Sequence, residues 1–423
     1  MTTAKSDQYF DLDSVPLTHG SPVDTSGPRI PLYTEEYAAD PHKVYREMRS
    51  RFGSLAPVEL SPGIPATLVI GYHTAVRILH DPEHFPADPR VWQRDIPSDC
   101  PVLPMMEYRP NPLRTVGQDR TRYRSAAVAA IGGVDMHEMH SIIEKISVSL
   151  INSFCRDGYC DVVGQYASPL IFATLNAMLG CPPELGHRAA QGLAAMFDTV
   201  DAAAGNAAQA DALLELARLK RVHPGDDITS RLVQHGVHLS DEEVRQQLAL
   251  LYGAGTEPPQ NLITNTLLLM LTDERFAANV LDGSLSTHDA LDEVLFNDPP
   301  LANYCISYPR QPMLIDGIWL PAHQPVMISM SACNNDPAVN TGTLAQNRSH
   351  LAFSVGPHSC PARSVALLVV QDAIDQLLDA IPEMRLAVPR AELCWRPGPF
   401  HRALVSLPVV FPASAPIVSG GGS

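Results

Sequence analysis

One octapeptide near the end of the chain, Phe353-Ser-Val-Gly-Pro-His-Ser-Cys360, constrains the fold more than any other segment. Gly356 and Pro357 predict a tight turn before Cys360. The apolar run 365–370 predicts a helix just after it, with a proline at the first-turn position. The Cys360 sulfur is therefore expected near a helix N-terminus, where the helix dipole favours an anion.

This arrangement suits a thiolate that binds a heme iron, because such a sulfur must be held deprotonated and close to the ring. His358 is expected to donate a hydrogen bond to a heme propionate, and Phe353 to pack on the sulfur side of the ring. The alternative is that Cys360 is a buried structural cysteine.

The octapeptide resembles the heme-binding signature of cytochrome P450 enzymes, with Cys360 at the position of the axial ligand and Ala362 where glycine is usual. Segments 39–49 and 69–72 resemble the family's opening helix and first hairpin, and segment 395–404 resembles the last hairpin. The resemblance implies a mainly α fold with small β-sheets (α+β), the triangular prism of the family. Heme b would lie between a long distal helix and the Cys360 loop.

Composition is compatible with one large domain. The chain has 423 residues, of which 45% are hydrophobic, enough to bury a sizeable core. We expect a single catalytic domain over 29–413, an N-terminal extension over 1–28 and a flexible tail over 414–423. The formal net charge of −16 argues against nucleic acid as a partner. Eight scattered cysteines and the lack of an apolar run of about 18 residues predict a cytoplasmic protein with no membrane anchor. The resemblance to soluble members of the family implies a bacterial-type enzyme.

The middle of the chain, 135–274, has apolar residues mostly at helical spacing. A turn at 224–227 is expected to end one helical block, and Ser240-Asp241-Glu242-Glu243 predicts a capping box that opens a long helix.

Within that long helix, the segment 254–261 resembles the oxygen-binding stretch of the family. Ala254 would leave room beside the heme, Glu257 holds the acid position, and Pro258 replaces the usual threonine. Because two consecutive prolines remove two N–H donors, we expect the helix to open there and admit water. Glu257 and Thr256 would then help to deliver protons; the alternatives are a kinked structural helix and a salt-bridged Glu257.

Two further family positions are altered. Glu293 matches the glutamate of the structural Glu-x-x-Arg pair, but Phe296 replaces its arginine. Of the two propionate-binding residues on an earlier helix, Arg124 matches and Arg120 replaces a histidine; a solvated basic helix face is the alternative. A later propionate arginine has no clear counterpart, since Cys305 or Ser307 falls there, with Arg310 nearby. Arg124 and His358 are therefore expected to hold the propionates.

The resemblance also places a substrate pocket beside the loop 101–106 and four residues: Leu301, Asn303, Phe400 and His401. These are mostly apolar or aromatic and suit an apolar or aromatic-bearing small molecule. Core packing explains Leu301 and Phe400 almost as well.

Three functional classes follow. The first is a heme-thiolate oxidoreductase that uses O₂ and electrons from a ferredoxin and its reductase to hydroxylate or oxidatively couple a secondary metabolite. The second is a degenerate homologue that acts as a non-catalytic helper of a partner enzyme, such as a glycosyltransferase. The third is a heme-binding sensor or carrier.

Overall fold

The computed structural model describes residues 28–197, 202–277, 286–339 and 348–418. Over these ranges the chain is mainly helical, with three small sheets, which confirms the predicted α+β class. The helices are α1 (Glu35–Ala39), α2 (Pro41–Phe52), α3 (Tyr72–Leu79), α4 (Leu103–Met106), α5 (Gly117–Gly132), α6 (Met136–Phe154), α7 (Ser168–Leu179), α8 (Pro183–Phe197), α9 (Ala202–Val222), α10 (Ile228–Gln234), α11 (Asp241–Thr272), α12 (Glu274–Ala277), α13 (Thr287–Asn297), α14 (Met330–Asn334) and α15 (Arg363–Ala380).

The strands lie mostly in the two outer thirds of the chain. They are β1 (Ile30–Pro31), β2 (Leu55–Ser61), β3 (Ile64–Val69), β4 (Tyr159–Asp161), β5 (Asn303–Ser307), β6 (Met313–Ile315), β7 (Ile318–Leu320), β8 (Val326–Ser329), β9 (Arg385–Leu386) and β10 (Pro408–Val410). The largest sheet has the order β1-β2-β3-β8-β5, in which β3 and β8 are parallel and β5 and β8 antiparallel. A second sheet has the order β4-β10-β9, and β6 pairs with β7.

Helix α11 is the central element of the helical part. Its C-terminal half is buried from Asn261 to Leu268, and it packs against α7, α9, α13 and α15. The burial includes the polar residues Asn261, Thr264 and Asn265, so this stretch has no face turned to solvent. Within the described ranges, no helix combines the length and apolarity needed to cross a membrane.

Several sequence predictions about helix ends are confirmed. Ser240 and Glu243 form the predicted capping box at the start of α11. Helix α9 ends at Val222, and Asp227 caps α10, so the 224–227 segment does separate two helices. One boundary differs: α15 begins at Arg363, after Pro361 rather than with it.

The C-terminal boundary also differs from the prediction. Residues 414–418 are not a free tail, because they hydrogen-bond to the end of α6. The Ser414 N–H donates to the Cys155 carbonyl at 2.9 Å, and the Ile417 N–H donates to Asn152 Oδ1 at 2.7 Å. Residues 419–423, and all but the last residue of the predicted extension 1–28, lie outside the described residues.

Helix α13 shows what replaces the Glu-x-x-Arg pair. Glu293 accepts a hydrogen bond from Arg275 at 2.7 Å at the surface, and the buried Phe296 ring packs edge-on against His350. The neighbouring Asp292 carboxylate is almost fully buried and accepts from Arg348 Nε at 3.2 Å. An ion pair thus still joins α13 to the segment that leads to the Cys360 loop, but with different residues.

We expect Arg348→Ala to destabilise the protein by about 1–3 kcal/mol, because the Asp292 carboxylate, with 8% of its side chain exposed, would lose its guanidinium partner. Arg275→Ala is the matched control. Glu293 retains 21% exposure and can be hydrated, so about 1 kcal/mol or less is expected. Urea unfolding of both variants measures the difference, and equal losses would contradict this assignment.

Candidate functional site: the Cys360 loop and the distal helix

The Cys360 loop depends on a glycine in the left-handed region. Gly356 has φ +70°, and a Cβ atom at this position would lie 2.6 Å from the Leu79 carbonyl oxygen of α3. Only glycine meets both conditions. The turn is closed by the Cys360 N–H, which donates to the Phe353 carbonyl at 2.8 Å. The loop is therefore seated against α3 and presents Cys360 at its end.

The Cys360 thiol lies among donors and cations. Burial among protein atoms raises its pKa, while a hydrogen bond from the Ala362 N–H and the charges of Arg124 and Arg363 act in the opposite direction. The side chain nevertheless stays solvent-accessible. Arg363 opens α15 and lies over the Phe353 ring at 5.5 Å from its centroid. Cys360 is thus placed just before a helix N-terminus, as predicted.

Helix α5 turns two of its arginines toward this loop. Arg120 donates to the Pro357 carbonyl, and Arg124 donates to the Ser359 carbonyl at 2.5 Å. Arg122 points elsewhere and pairs with Glu243 of α11. Arg120 and Arg124, one helical turn apart, therefore both contact the Cys360 loop. The alternative that they form a solvated basic face of the helix is not supported.

A third arginine joins this cluster from outside α5. Burial and the charges of Arg120, Arg124 and Arg114 lower the pKa of His358 to about 4. No carboxylate pairs with any of these three arginines in the part of the chain that the structure describes. One nitrogen of Arg114 and the Nε of Arg120 are buried without an acceptor. The residues therefore fit a heme: a thiol for the iron, and guanidinium groups for its two carboxylates.

The distal helix α11 runs past Pro258 and Pro259 as one helix. Because prolines lack an N–H, the Ala254 and Gly255 carbonyls lose the donors that would normally come from four residues further on. The Thr256 hydroxyl donates to the Tyr252 carbonyl at 2.7 Å. The helix therefore does not break, contrary to the expectation that it opens, but two of its carbonyls lack their usual N–H donors.

Glu257 contacts the last hairpin. Its carboxylate pairs with Arg396, and His401 Nδ1 lies 3.8 Å from Glu257 Oε1. Gly398 allows this position of His401, since a Cβ on Gly398 would lie 2.7 Å from the imidazole Cε1. Glu257 is therefore salt-bridged, as the alternative prediction had it. Its role in proton delivery stays a prediction.

The predicted pocket residues separate into two groups. Leu301 forms a β-bridge with His401, and Phe400 packs edge-on against the Tyr304 ring. Asn303 is fully buried, and its amide bonds to Tyr37, Tyr45 and the Pro399 carbonyl. Asn303 therefore belongs to the framework, which corrects its assignment to the pocket.

Sequence reasoning missed Arg114 and Arg396. Arg114 precedes α5 in a segment without a motif, and Arg396 lies in a hairpin that was recognised without a role for this residue. Arg310, considered for the propionates, is exposed and acts on Asp88 instead.

No protein-family model matches the chain. Curated relatives nevertheless cover it almost end to end. The 2-hydroxy-5-methyl-1-naphthoate 7-hydroxylase of Streptomyces carzinostaticus is 28% identical over 403 residues, 90% of this chain and 97% of the relative. The cytochrome P450 monooxygenase PikC of Streptomyces venezuelae is 27% identical over 391 residues, 89% of this chain and 92% of the relative.

Solved structures have the same fold. CYP154C4 from Streptomyces sp. W2061 superimposes with a TM-score of 0.83 at 25% identity and covers 93% of this chain and 99% of its own. The P450 monooxygenase TamI, in its tirandamycin C-bound structure, gives a TM-score of 0.77 at 26% identity and covers 90% of this chain and 100% of its own. The predicted family and fold are thereby confirmed.

Gly356→Ala is expected to displace the Cys360 loop, because the new Cβ would meet the Leu79 carbonyl in addition to the cost of a left-handed alanine, about 1–2 kcal/mol. Gly317→Ala is the matched control, since Gly317 has φ +80° but open space around it. Urea unfolding midpoints and reactivity of Cys360 toward a thiol reagent should change more in the first variant. Equal changes would show that backbone strain alone is responsible.

Proposed function

Because the chain belongs to the cytochrome P450 family, we propose that it is a monooxygenase that hydroxylates a small bacterial secondary metabolite. The observation that carries this proposal is the convergence of the Cys360 thiol with three arginines that have no carboxylate partner in the described ranges. Cations that are buried without a counter-ion are costly, so this set of charges favours an anionic prosthetic group.

The cofactor we propose is heme b. Heme, when bound, supplies the iron chemistry that activates O₂. Cys360 would hold the iron as a thiolate, which the Ala362 N–H and the cations Arg124 and Arg363 stabilise. Arg120, Arg124 and His358 would hold the propionates.

The overall reaction defines the other partners. Hydroxylation of a C–H bond consumes O₂, two electrons and two protons, and yields the alcohol and water. We propose a ferredoxin and its reductase as the source of the electrons. The eight cysteines are all free, which is consistent with a reducing compartment, and we place the protein in the cytoplasm.

The substrate we propose is apolar or carries an aromatic ring. The resemblance to the family places Leu301 and Phe400 on the distal side, where both would contribute apolar groups next to Tyr304. The names of the relatives point to the same class, since one is a hydroxylase of a methylated hydroxynaphthoate. Oxidative coupling stays the alternative, and product analysis separates the two because coupling inserts no oxygen atom.

For proton delivery we propose Glu257 together with His401. Thr256 bonds back to Tyr252, so its hydroxyl is engaged within the helix. The Glu257 carboxylate lies between α11 and the last hairpin, with His401 within reach of one intervening water. The Ala254 and Gly255 carbonyls, which lack N–H donors from Pro258 and Pro259, would orient such water.

Cys360→Ser is expected to abolish the CO difference spectrum of the reduced protein, because the thiolate ligand is lost. Cys394→Ser, which alters an exposed thiol just before the last hairpin, is the control and should keep the spectrum. If the wild-type protein bound no heme at all, the monooxygenase proposal would be wrong and the non-catalytic helper would be favoured.

Glu257→Gln is expected to keep the CO spectrum and to lower coupling, measured as product formed per reducing equivalent consumed, by about 10-fold or more. The solvent deuterium isotope effect on turnover should change as well, since a proton donor is removed. Arg396→Met is the control for a purely structural role of the ion pair. Equal uncoupling in both variants, with unchanged isotope effects, would refute the relay.

A further inference from the structure

Arg114 is the one arginine of the cluster to which the proposed function assigns no contact of its own. Its residue is only 2% exposed, in the segment between α4 and α5. A local turn holds it: the Leu113 and Arg114 N–H groups donate to Asn111 Oδ1 at 3.1 Å, and the Thr115 hydroxyl donates to the Asn111 carbonyl at 2.6 Å. The position of the guanidinium is therefore fixed by the backbone before α5 begins.

Neutral groups alone contact this guanidinium among the described residues. One terminal nitrogen, Nη2, donates to the Tyr304 hydroxyl at 2.8 Å and to the Met105 carbonyl, and the Tyr304 ring lies 5.4 Å away. The other terminal nitrogen, Nη1, is buried with no acceptor. A buried cation without an anion is costly, so the arrangement calls for a negatively charged group that contacts Nη1.

The surroundings of Arg114 identify the chemistry of that group. Its charge lowers the pKa of His358, as do those of Arg120 and Arg124, and it also acts on Cys305. Three cations thus share one region next to the Cys360 loop. Since like charges repel, a dianion between the three guanidinium groups would offset their mutual repulsion.

Arg114 also lies where the family's later arginine is missing. Strand β5 has a register irregularity between Tyr304 and Ser307, and Cys305 has φ +51° within it. Such a bulge redirects side chains next to a site. The Arg114 guanidinium binds the hydroxyl of Tyr304, which directly precedes Cys305, and its charge acts on the Cys305 thiol.

We propose that Arg114 binds a heme propionate and replaces the arginine that β5 lacks. This inference rests on the proposed function, because it requires that the chain bind heme. Arg114 would act as a cofactor-binding residue with Tyr304 as its positioning partner; neither takes part in the reaction on the substrate.

The test compares heme loss from Arg114→Leu with that from the wild type, measured as transfer to excess apomyoglobin. The loss of one charge-assisted hydrogen bond is expected to speed transfer by about 10- to 100-fold. Arg109→Leu is the matched control: it removes a nearby arginine that already pairs with Glu107 at 2.7 Å, and heme transfer should not change.

Two further measurements separate a propionate contact from a structural role. With heme dimethyl ester, which lacks the carboxylates, Arg114→Leu and the wild type should lose the cofactor equally fast. Without heme, Arg114→Leu should be at least as stable in urea as the wild type, since it removes a buried cation that has no anion. Lower stability of the heme-free variant, or an undiminished effect with the diester, would overturn the proposal.

The outcomes also distinguish this proposal from the function it rests on. A wild-type protein that binds no heme refutes both. A wild-type protein with a thiolate CO spectrum and an Arg114→Leu variant that keeps its heme as firmly refutes only the role of Arg114. Should Arg114→Leu not fold, Arg114→Gln removes the charge but keeps hydrogen-bond donors, and the same comparison decides.

Discussion

Charge balance around the Cys360 sulfur is the constraint on which the rest of the site depends. Arg114, Arg120 and Arg124 bring three positive charges to a loop whose other titratable group, His358, is kept neutral by them and by burial. Arg120 and Arg124 meanwhile bind the loop carbonyls of Pro357 and Ser359, which ties α5 to the thiol. The same guanidinium groups therefore shape the loop and create the demand for anions that a thiolate and two propionates would meet.

Phe296, which replaces the arginine of the Glu-x-x-Arg pair, changes which residues contact each other around α13 but leaves the fold unchanged. Phe296 places an apolar ring edge-on against His350, whose pKa burial and Arg363 lower to about 4, so the contact joins two uncharged rings at neutral pH. The pair of Asp292 and Arg348 keeps an electrostatic link between α13 and the segment before the Cys360 loop. Conserving the link without the usual residues is possible because the helix and loop positions are set by packing, not by one ion pair.

The local patterns of the sequence predicted the parts of the structure that local chemistry determines. The capping box at Ser240 and the turn at Gly356 follow from residue type. The inward pair Arg120 and Arg124 was predicted only from the resemblance to the family. Contacts across long sequence separations did not follow. Arg114 hydrogen-bonds to Tyr304, which lies 190 residues away in the sequence. Asn303 hydrogen-bonds to the buried residues Tyr37 and Tyr45. Neither contact can be predicted from the residues that surround Arg114 or Asn303 in the sequence.

At the distal helix, the proposed proton route differs from the one that the resemblance implies, because Pro258 replaces the usual threonine. Pro258 offers no donor, and Thr256 donates to the helix itself, so the helix surface near Glu257 has acceptors but no alcohol to pass a proton on. The Glu257 carboxylate instead reaches sideways to Arg396 and His401 on the last hairpin. That hairpin also carries Phe400, so a substrate that moved the hairpin would change the contacts of the Glu257 carboxylate with Arg396 and His401, although Glu257 itself lies on α11. Substrate binding and the proposed delivery of protons would then be coupled through the contact between α11 and the hairpin.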